Sequence, residues 1–216
     1  MTAANISAMT LMSMNFSSRV RGVLVPSIND FRRVTLLAGA LMAEHLREGD
    51  SAVDATAGTG ADTCLLAQSV GAHGRVYAFD VQEEALKETE QRLSAEGLRD
   101  RVLLFHRGHE TMGSVPELRQ DSKIMGIMFN LGYLPHGDKE IVTKTDTTLA
   151  ALESSVTLLA PKGLLTLCLY RHPAGLDESR AVEKWCAQLG AGFNVHKLET
   201  INKNNPPYLI LAEKTK

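Results

Sequence analysis

Val53-Asp54-Ala55-Thr56-Ala57-Gly58-Thr59-Gly60-Ala61-Asp62-Thr63 is the stretch on which the fold turns. A short apolar run ends in an acid, two glycines follow among small residues, and the apolar helical pattern Cys64-Leu65-Leu66-Ala67 comes next. That order predicts strand, tight turn, helix. Glycines let the backbone adopt conformations closed to other residues and bring main-chain N–H groups close to a ligand at the helix N-terminus. A second strand pattern, Arg75-Val76-Tyr77-Ala78-Phe79, ends in Asp80, about 20 residues on, where an acid can take both hydroxyls of a ribose. Loop plus acid points to an adenosine-type cofactor.

The loop also discriminates among such cofactors. A nicotinamide or flavin dinucleotide usually shows G-x-G-x-x-G, but here the third glycine position falls on Thr63 and the loop opens on Asp54. A carboxylate repels a pyrophosphate and suits an ammonium group. S-adenosylmethionine carries an amino group, a ribose and a sulfonium, so Asp54 with Asp80 fits it better. The plainer alternative is that Asp54 caps a helix and the glycines only make a turn.

Composition sets the bounds. The 216 residues are 44% hydrophobic and 22% charged, enough for one well-buried α/β domain with a short extension. A net charge of -2 gives no global basic field, so any nucleic-acid partner would rely on a local patch. Cys64, Cys168 and Cys186 fall in apolar patterns without metal spacing; they read as buried thiols in a reducing compartment, and no metal site is expected. No apolar run approaches the roughly 20 residues of a membrane span.

Residues 1–29 contain no Asp or Glu, carry Arg19 and Arg21, and hold four of the eight methionines. They are read as an N-terminal extension, either a transit peptide or a mobile or mis-assigned start, with the cytoplasm as the expected location. The domain is placed at 30–216. Phe31, Val34, Leu37 and Leu41 have helical spacing, with Asn29 or Asp30 as cap, and this helix is expected to cover one sheet edge. After the first strand, Ser51 to Asp54, come helix 62–70, strand 75–79, helix 82–96, and the apolar run 102–105, expected to be covered on both faces. Strand 123–130, helix 149–159, strand 163–170, helix 177–189 and a closing strand pair, 193–201 and 208–213, complete the chain. Alternating strands and helices imply a doubly wound α/β fold with a mostly parallel sheet.

In such a sheet, ligands lie outside the carboxyl ends of the strands. The residues there are Asp54 to Thr63, Asp80-Val81-Gln82, Gly108-His109-Glu110, Asn130-Leu131-Gly132-Tyr133 and Arg171-His172. His109 and Glu110 are read as contacts to the adenine side of the cofactor, or His109 as satisfying a backbone carbonyl. Asn130 and Leu131 fall beside the transferring methyl, the Asn130 amide offering an acceptor and donors. Tyr133 presents a surface for stacking a base, or plain packing. Asp138, a candidate proton acceptor, and Lys139 lie in a polar loop and either touch substrate or pair with each other in water, and Arg171 is a phosphate contact or a solvated loop charge.

These residues resemble the putative rRNA methylase family. The resemblance rests on Asp54 to Thr63, Tyr77-Ala78-Phe79-Asp80-Val81-Gln82, Phe129-Asn130-Leu131-Gly132-Tyr133-Leu134-Pro135 with Gly137-Asp138-Lys139, Thr147-Thr148, Asn205-Pro206-Pro207 and Glu213-Lys214. It runs from about Gly49 to Lys214, and the Asn-Leu-Gly-Tyr-Leu-Pro stretch is far more specific than the glycine loop. It implies a Rossmann-like class I methyltransferase fold, seven strands with one antiparallel, S-adenosylmethionine as donor, a homodimer, and tRNA as substrate through the aminomethyl group of the wobble uridine. Methylation of rRNA or of a small amine is the alternative, and a non-catalytic adenosine-binding module a third. Departures from the family pattern are Thr59, where an asparagine is usual, Ala61, where a histidine is usual, and Arg171 to Gly175 in place of a glycine-rich turn.

Overall fold

Seven strands form the central sheet, in the spatial order 102–106, 75–80, 51–54, 124–131, 164–169, 208–214, 193–199. In the computed structural model, residues 33–132, 143–171 and 175–216 are described in full, and 16–20 and 23–26 by backbone. Tyr133, Asp138, Lys139 and His172 lie outside the described residues. Strands β1 (Phe16–Val20) and β2 (Val23–Pro26) pair as a separate antiparallel hairpin. The sheet strands are β3 (Ser51–Asp54), β4 (Arg75–Asp80), β5 (Val102–His106), β6 (Ile124–Leu131), β7 (Leu164–Leu169), β8 (Phe193–Glu199) and β9 (Tyr208–Lys214). Only β9 runs against the rest, pairing antiparallel with both β7 and β8.

Helices α1 (Val34–His45), α2 (Ala61–Ser69) and α3 (Glu83–Ala95) cover one face. There Met42, Leu66 and Leu93 meet Ala52, Val76, Ala78 and Met128. The other face is covered by a 3-10 turn (His109–Ser114), α4 (Pro116–Gln120), α5 (Thr145–Leu158) and α6 (Leu176–Ala187). Its core joins Met112, Leu118, Leu152 and Val182 to Val53, Phe79, Phe129 and Leu167. Alternate residues of β3, β4 and β6 thus feed opposite cores, as the two-residue period of a strand requires.

Four expectations are corrected. Helix α1 begins at Val34, with Arg33 extended and no side-chain cap; Asn29, Asp30 and Phe31 lie outside the described residues. It covers a face, not an edge, because Met42 and Leu46 close over Gly126 of β6, leaving no room for a Cβ there. Strand β5 is the sheet edge, so Leu103, Leu104 and Phe105 stay half-buried although the run is wholly apolar. Helix α5 starts a turn earlier than its apolar spacing suggests, and the 3-10 turn and α4 were not predicted at all. All three cysteines are buried thiols; burial pushes Cys64 and Cys186 up to about 12 and raises Cys168 as well. No helix of the described residues is long and apolar enough to cross a membrane, and no group of acids, histidines and cysteines among them is arranged to hold a metal ion.

Candidate active site

Strand order places the first strand, β3, between β4 and β6, so the chain leaves β3 in both directions and a crevice opens between the carboxyl ends of β3 and β6. Ligands bind at such a switch point. Ala55 N–H still bonds the Met128 carbonyl, and Asn130 N–H donates to Thr56 Oγ1 at 2.9 Å. The glycine loop is therefore tied to the end of β6 as well as to its own strand.

The loop itself is tightly determined. Gly58 and Gly60 have φ of 52° and 78°, the left-handed region that costs a side-chain-bearing residue free energy. A Cβ on Gly60 would come within 2.9 Å of the Thr89 Cα. Thr89 Oγ1 donates to the Gly58 carbonyl at 3.0 Å, so α3 holds the loop from behind. Thr89 was not legible as a site residue; only its place on the inner face of α3, facing a glycine, marks it.

Asp80 accepts the N–H of Gly58 at 2.9 Å on one oxygen and that of Gln82 at 2.9 Å on the other. Each oxygen keeps a further lone pair for a hydroxyl. Val81 beside it is 54% exposed, an apolar surface open to a flat ring. Asp54 is only 1% exposed and lies beneath the loop, its oxygens accepting Thr56 N–H at 3.1 Å and Thr63 O–H at 2.6 Å. Burial raises the Asp54 carboxyl well above the usual range, the charge of Asp62 adds to the rise, and the Thr63 and Thr56 hydrogen bonds oppose it. Asp62, half-buried in the first turn of α2, is raised by burial as well. Among the described residues no cation pairs with Asp54, Asp62 or Asp80. Two carboxyls held up by burial, and Asp54 further by the charge of Asp62, are relieved by an incoming cation, so the ammonium of S-adenosylmethionine fits this chemistry. Asp62, not the deeply covered Asp54, is the acid with a part-exposed side chain.

His109 is buried, its Nδ1–H donating to the Ala55 carbonyl at 3.2 Å and its ring standing edge-on to Phe129 at 5.6 Å. Of the two roles considered for it, the carbonyl contact is present. Glu110 curls back so that its carboxylate lies against Gly108. Arg171 is already engaged: its guanidinium pairs with Glu199, lies 3.9 Å from Glu183 and sits over the Tyr208 ring at 4.4 Å. Lys197 closes the same cluster, at 2.9 Å from Glu183 and 3.0 Å from Glu199. Glu183, Glu199 and Tyr208 come from three later elements, and nothing near Arg171 in sequence announces them.

Residues 76–213 match the family described as Putative rRNA methylase. The tRNA (mnm(5)s(2)U34)-methyltransferase, chloroplastic, of Arabidopsis thaliana is 34% identical, over 94% of this chain and 77% of its own. The chain belongs to the rRNA methylase family. A putative rRNA-methylase from Clostridium thermocellum superposes with a TM-score of 0.78 at 37% identity, over 82% of this chain and 95% of that one. A putative methyltransferase from Streptococcus mutans, solved in complex with SAH, does so with 0.74 at 32%, over 84% and 98%. This rRNA methylase family member is a class I methyltransferase that uses S-adenosylmethionine. Its glycine loop, Asp62 and Asp80 stand at the carboxyl ends of β3 and β4, beside the switch point.

Proposed function

We propose that the protein N-methylates the 5-aminomethyl group of uridine, or 2-thiouridine, at the wobble position of tRNA. The observation that carries this reading is the likeness over 94% of the chain to a tRNA methyltransferase of that specificity, together with Asn130 seated at the switch point beside the glycine loop. S-adenosylmethionine supplies an electrophilic methyl group on a sulfonium. Asp80 takes the ribose hydroxyls, Val81, Gln82, Gly108 and Glu110 border the adenine, and Thr56 to Thr63 with Asp62 receive the methionine end. Asp54 acts from below by fixing Thr56 and Thr63.

Aligning an amine with the methyl group is worth up to about 7 to 11 kcal/mol in favourable cases, so orientation outweighs proton transfer. Asn130, held through its own N–H by Thr56, orients the amine with its side-chain amide; Leu131 continues the wall. Tyr133, Asp138, Lys139 and His172 remain the candidates for stacking the base, accepting a proton and meeting the RNA backbone. Homodimer assembly and a cytoplasmic location belong to the same proposal, with the alternative that residues 1–29 are an organellar leader, as the chloroplastic relative suggests. Against a free leader, β2 lies beside α1 and α2.

Incubation with methyl-labelled S-adenosylmethionine and tRNA from cells lacking wobble methylation, followed by nucleoside digestion, tests the reading. Label in methylaminomethyl-uridine is expected. Label in rRNA or in a small amine instead would overturn the substrate while leaving the enzyme class.

A further inference from the structure

Among the described residues at this rim, His109 alone has a buried polar atom without a hydrogen-bond partner. The side chain is 7% exposed and its Nε2 has none. A carbonyl oxygen only accepts, so the bond to Ala55 puts the ring proton on Nδ1 and leaves a lone pair on Nε2. Leaving a buried acceptor unmet costs free energy, and its position says what could meet it. Ala55 follows β3 and Phe129 precedes Asn130 on β6, so the ring bridges the two strands between which the crevice opens. Asp54, Asp62 and Asp80 belong to the α1–α3 side of the sheet, whereas His109 packs with Phe129 on the α5–α6 side.

We propose that His109 Nε2 accepts a hydrogen bond from the amine that receives the methyl group, a role that rests on the tRNA reading above. The amine lone pair forms the new C–N bond as the C–S bond breaks with its electrons going to sulfur, so positive charge passes from sulfur to nitrogen. The N–H facing Nε2 then belongs to an ammonium, and the bond becomes charge-assisted as the reaction proceeds. An interaction that strengthens on the way to the transition state accelerates the step. The excess proton leaves with the product ammonium.

The surroundings agree with this role. Burial holds the imidazole below its usual range and therefore neutral, while Glu110 of its own turn, Glu178 of α6 and Asp80 of β4 act in the opposite direction. All three charges are negative. Glu178 is 4% exposed and accepts the hydroxyls of Thr148 at 2.6 Å and Thr143 at 2.7 Å. A cation formed beside Nε2 meets favourable potential from each.

The substitutions His109→Asn and His109→Gln separate this role from a structural one. An asparagine amide reaches the place of Nδ1 and can still donate to Ala55, but nothing remains at Nε2; a glutamine amide reaches the place of Nε2. The proposal expects H109N to lower kcat on aminomethyl tRNA by about 10- to 100-fold, the worth of one charge-assisted hydrogen bond, with the Kd for S-adenosylmethionine within about twofold, and H109Q to restore part of the rate. A histidine that only anchors Ala55 gives the reverse order, H109N near wild type and H109Q impaired with a lowered Tm. A second readout needs no turnover: in the dead-end complex with SAH and aminomethyl tRNA, the 15N resonance of His109 Nε2 moves away from that of an unbonded imidazole nitrogen. Wild-type turnover in H109N, or an unmoved Nε2 signal, overturns the role of His109 alone. No transfer to this tRNA by the wild-type enzyme overturns the tRNA reading and takes the identity of the amine with it.

Discussion

The two sides of the switch point are built differently. On the β3–β4–β5 side, the polar groups described for the loop are met from within the chain: Asp80 holds Gly58 and Gln82, Thr89 holds Gly58, and Asp54 holds Thr56 and Thr63. Across the switch point, His109 packs on Phe129 of β6 with its Nε2 unmet, and Arg171, after β7, is drawn back into a cluster with Glu199, Glu183 and Tyr208. On the proposed assignment, the cofactor half is set before anything binds and the acceptor half is completed by its substrate. A nucleoside cofactor is the same in every turnover, so a preformed cradle avoids repeated ordering costs.

The sharpest way to break that contrast is Asp80→Ala. It removes the anchor of two backbone N–H groups and the proposed ribose contact together, and the Kd for S-adenosylmethionine measured by calorimetry should rise about 100-fold or more, the loss of two hydrogen bonds to a charged group. Retained affinity would mean that the cradle does not depend on this carboxylate. Next, Asn130→Ala should reduce kcat by about 30- to 100-fold with cofactor affinity nearly unchanged, as expected for an orienting group. A loss of cofactor affinity instead would merge the two halves.

A smaller effect reads the acids. Because burial raises Asp54 and Asp62 in the folded protein, the native chain holds protons that the unfolded chain has already lost above the ordinary carboxylate range. Unfolding free energy contributed by this pair therefore falls as pH rises from that range through the raised values. An ammonium bound nearby favours the charged form, so cofactor binding should release protons in that window and tighten as pH increases. Calorimetry in buffers of different ionisation enthalpy reads this directly, and proton uptake would contradict the assignment. The smallest change is expected from Arg171→Ala. Its carboxylate partners are part-exposed, so the loss is about 1 kcal/mol in stability, with the salt dependence of tRNA binding unaltered. A reduced salt slope would show instead that Arg171 leaves its cluster to meet phosphate.

The halves also differed in how far the sequence revealed them. Strand, loop and helix around Gly58 and Gly60 were legible to within a residue, because acid, glycines and apolar periodicity all lie within one short window. The place of Asp80 at the end of β4 was legible because a short apolar strand pattern leads directly to it. The burial of Asp54 was not: its chemistry suggests an exposed acid, and only the strand's alternation, with Thr63 returning from the helix, covers it. His109 meets a carbonyl 54 positions away, and Arg171 finds Glu199 28 positions on, separations across which local pattern carries no information. Strand β5 misled by composition, since its apolar run is that of a buried strand while its place is the sheet edge. Tertiary position overrides strand propensity in this way.

Strand β9 enters the sheet between β7 and β8, although it follows both in the chain. During synthesis, β7 therefore emerges with its outer edge unpaired and waits until residues 208–214 are available. Strand β8 cannot close the gap, because its whole register is against β9. Tyr208, Leu209, Ile210 and Ala212 are all buried once β9 is in place, so one late segment both seals the open edge and completes the two cores. The interval between emergence of residue 169 and residue 214 is the period in which a nascent chain exposes the pairing edge of Leu164–Leu169 to other strands.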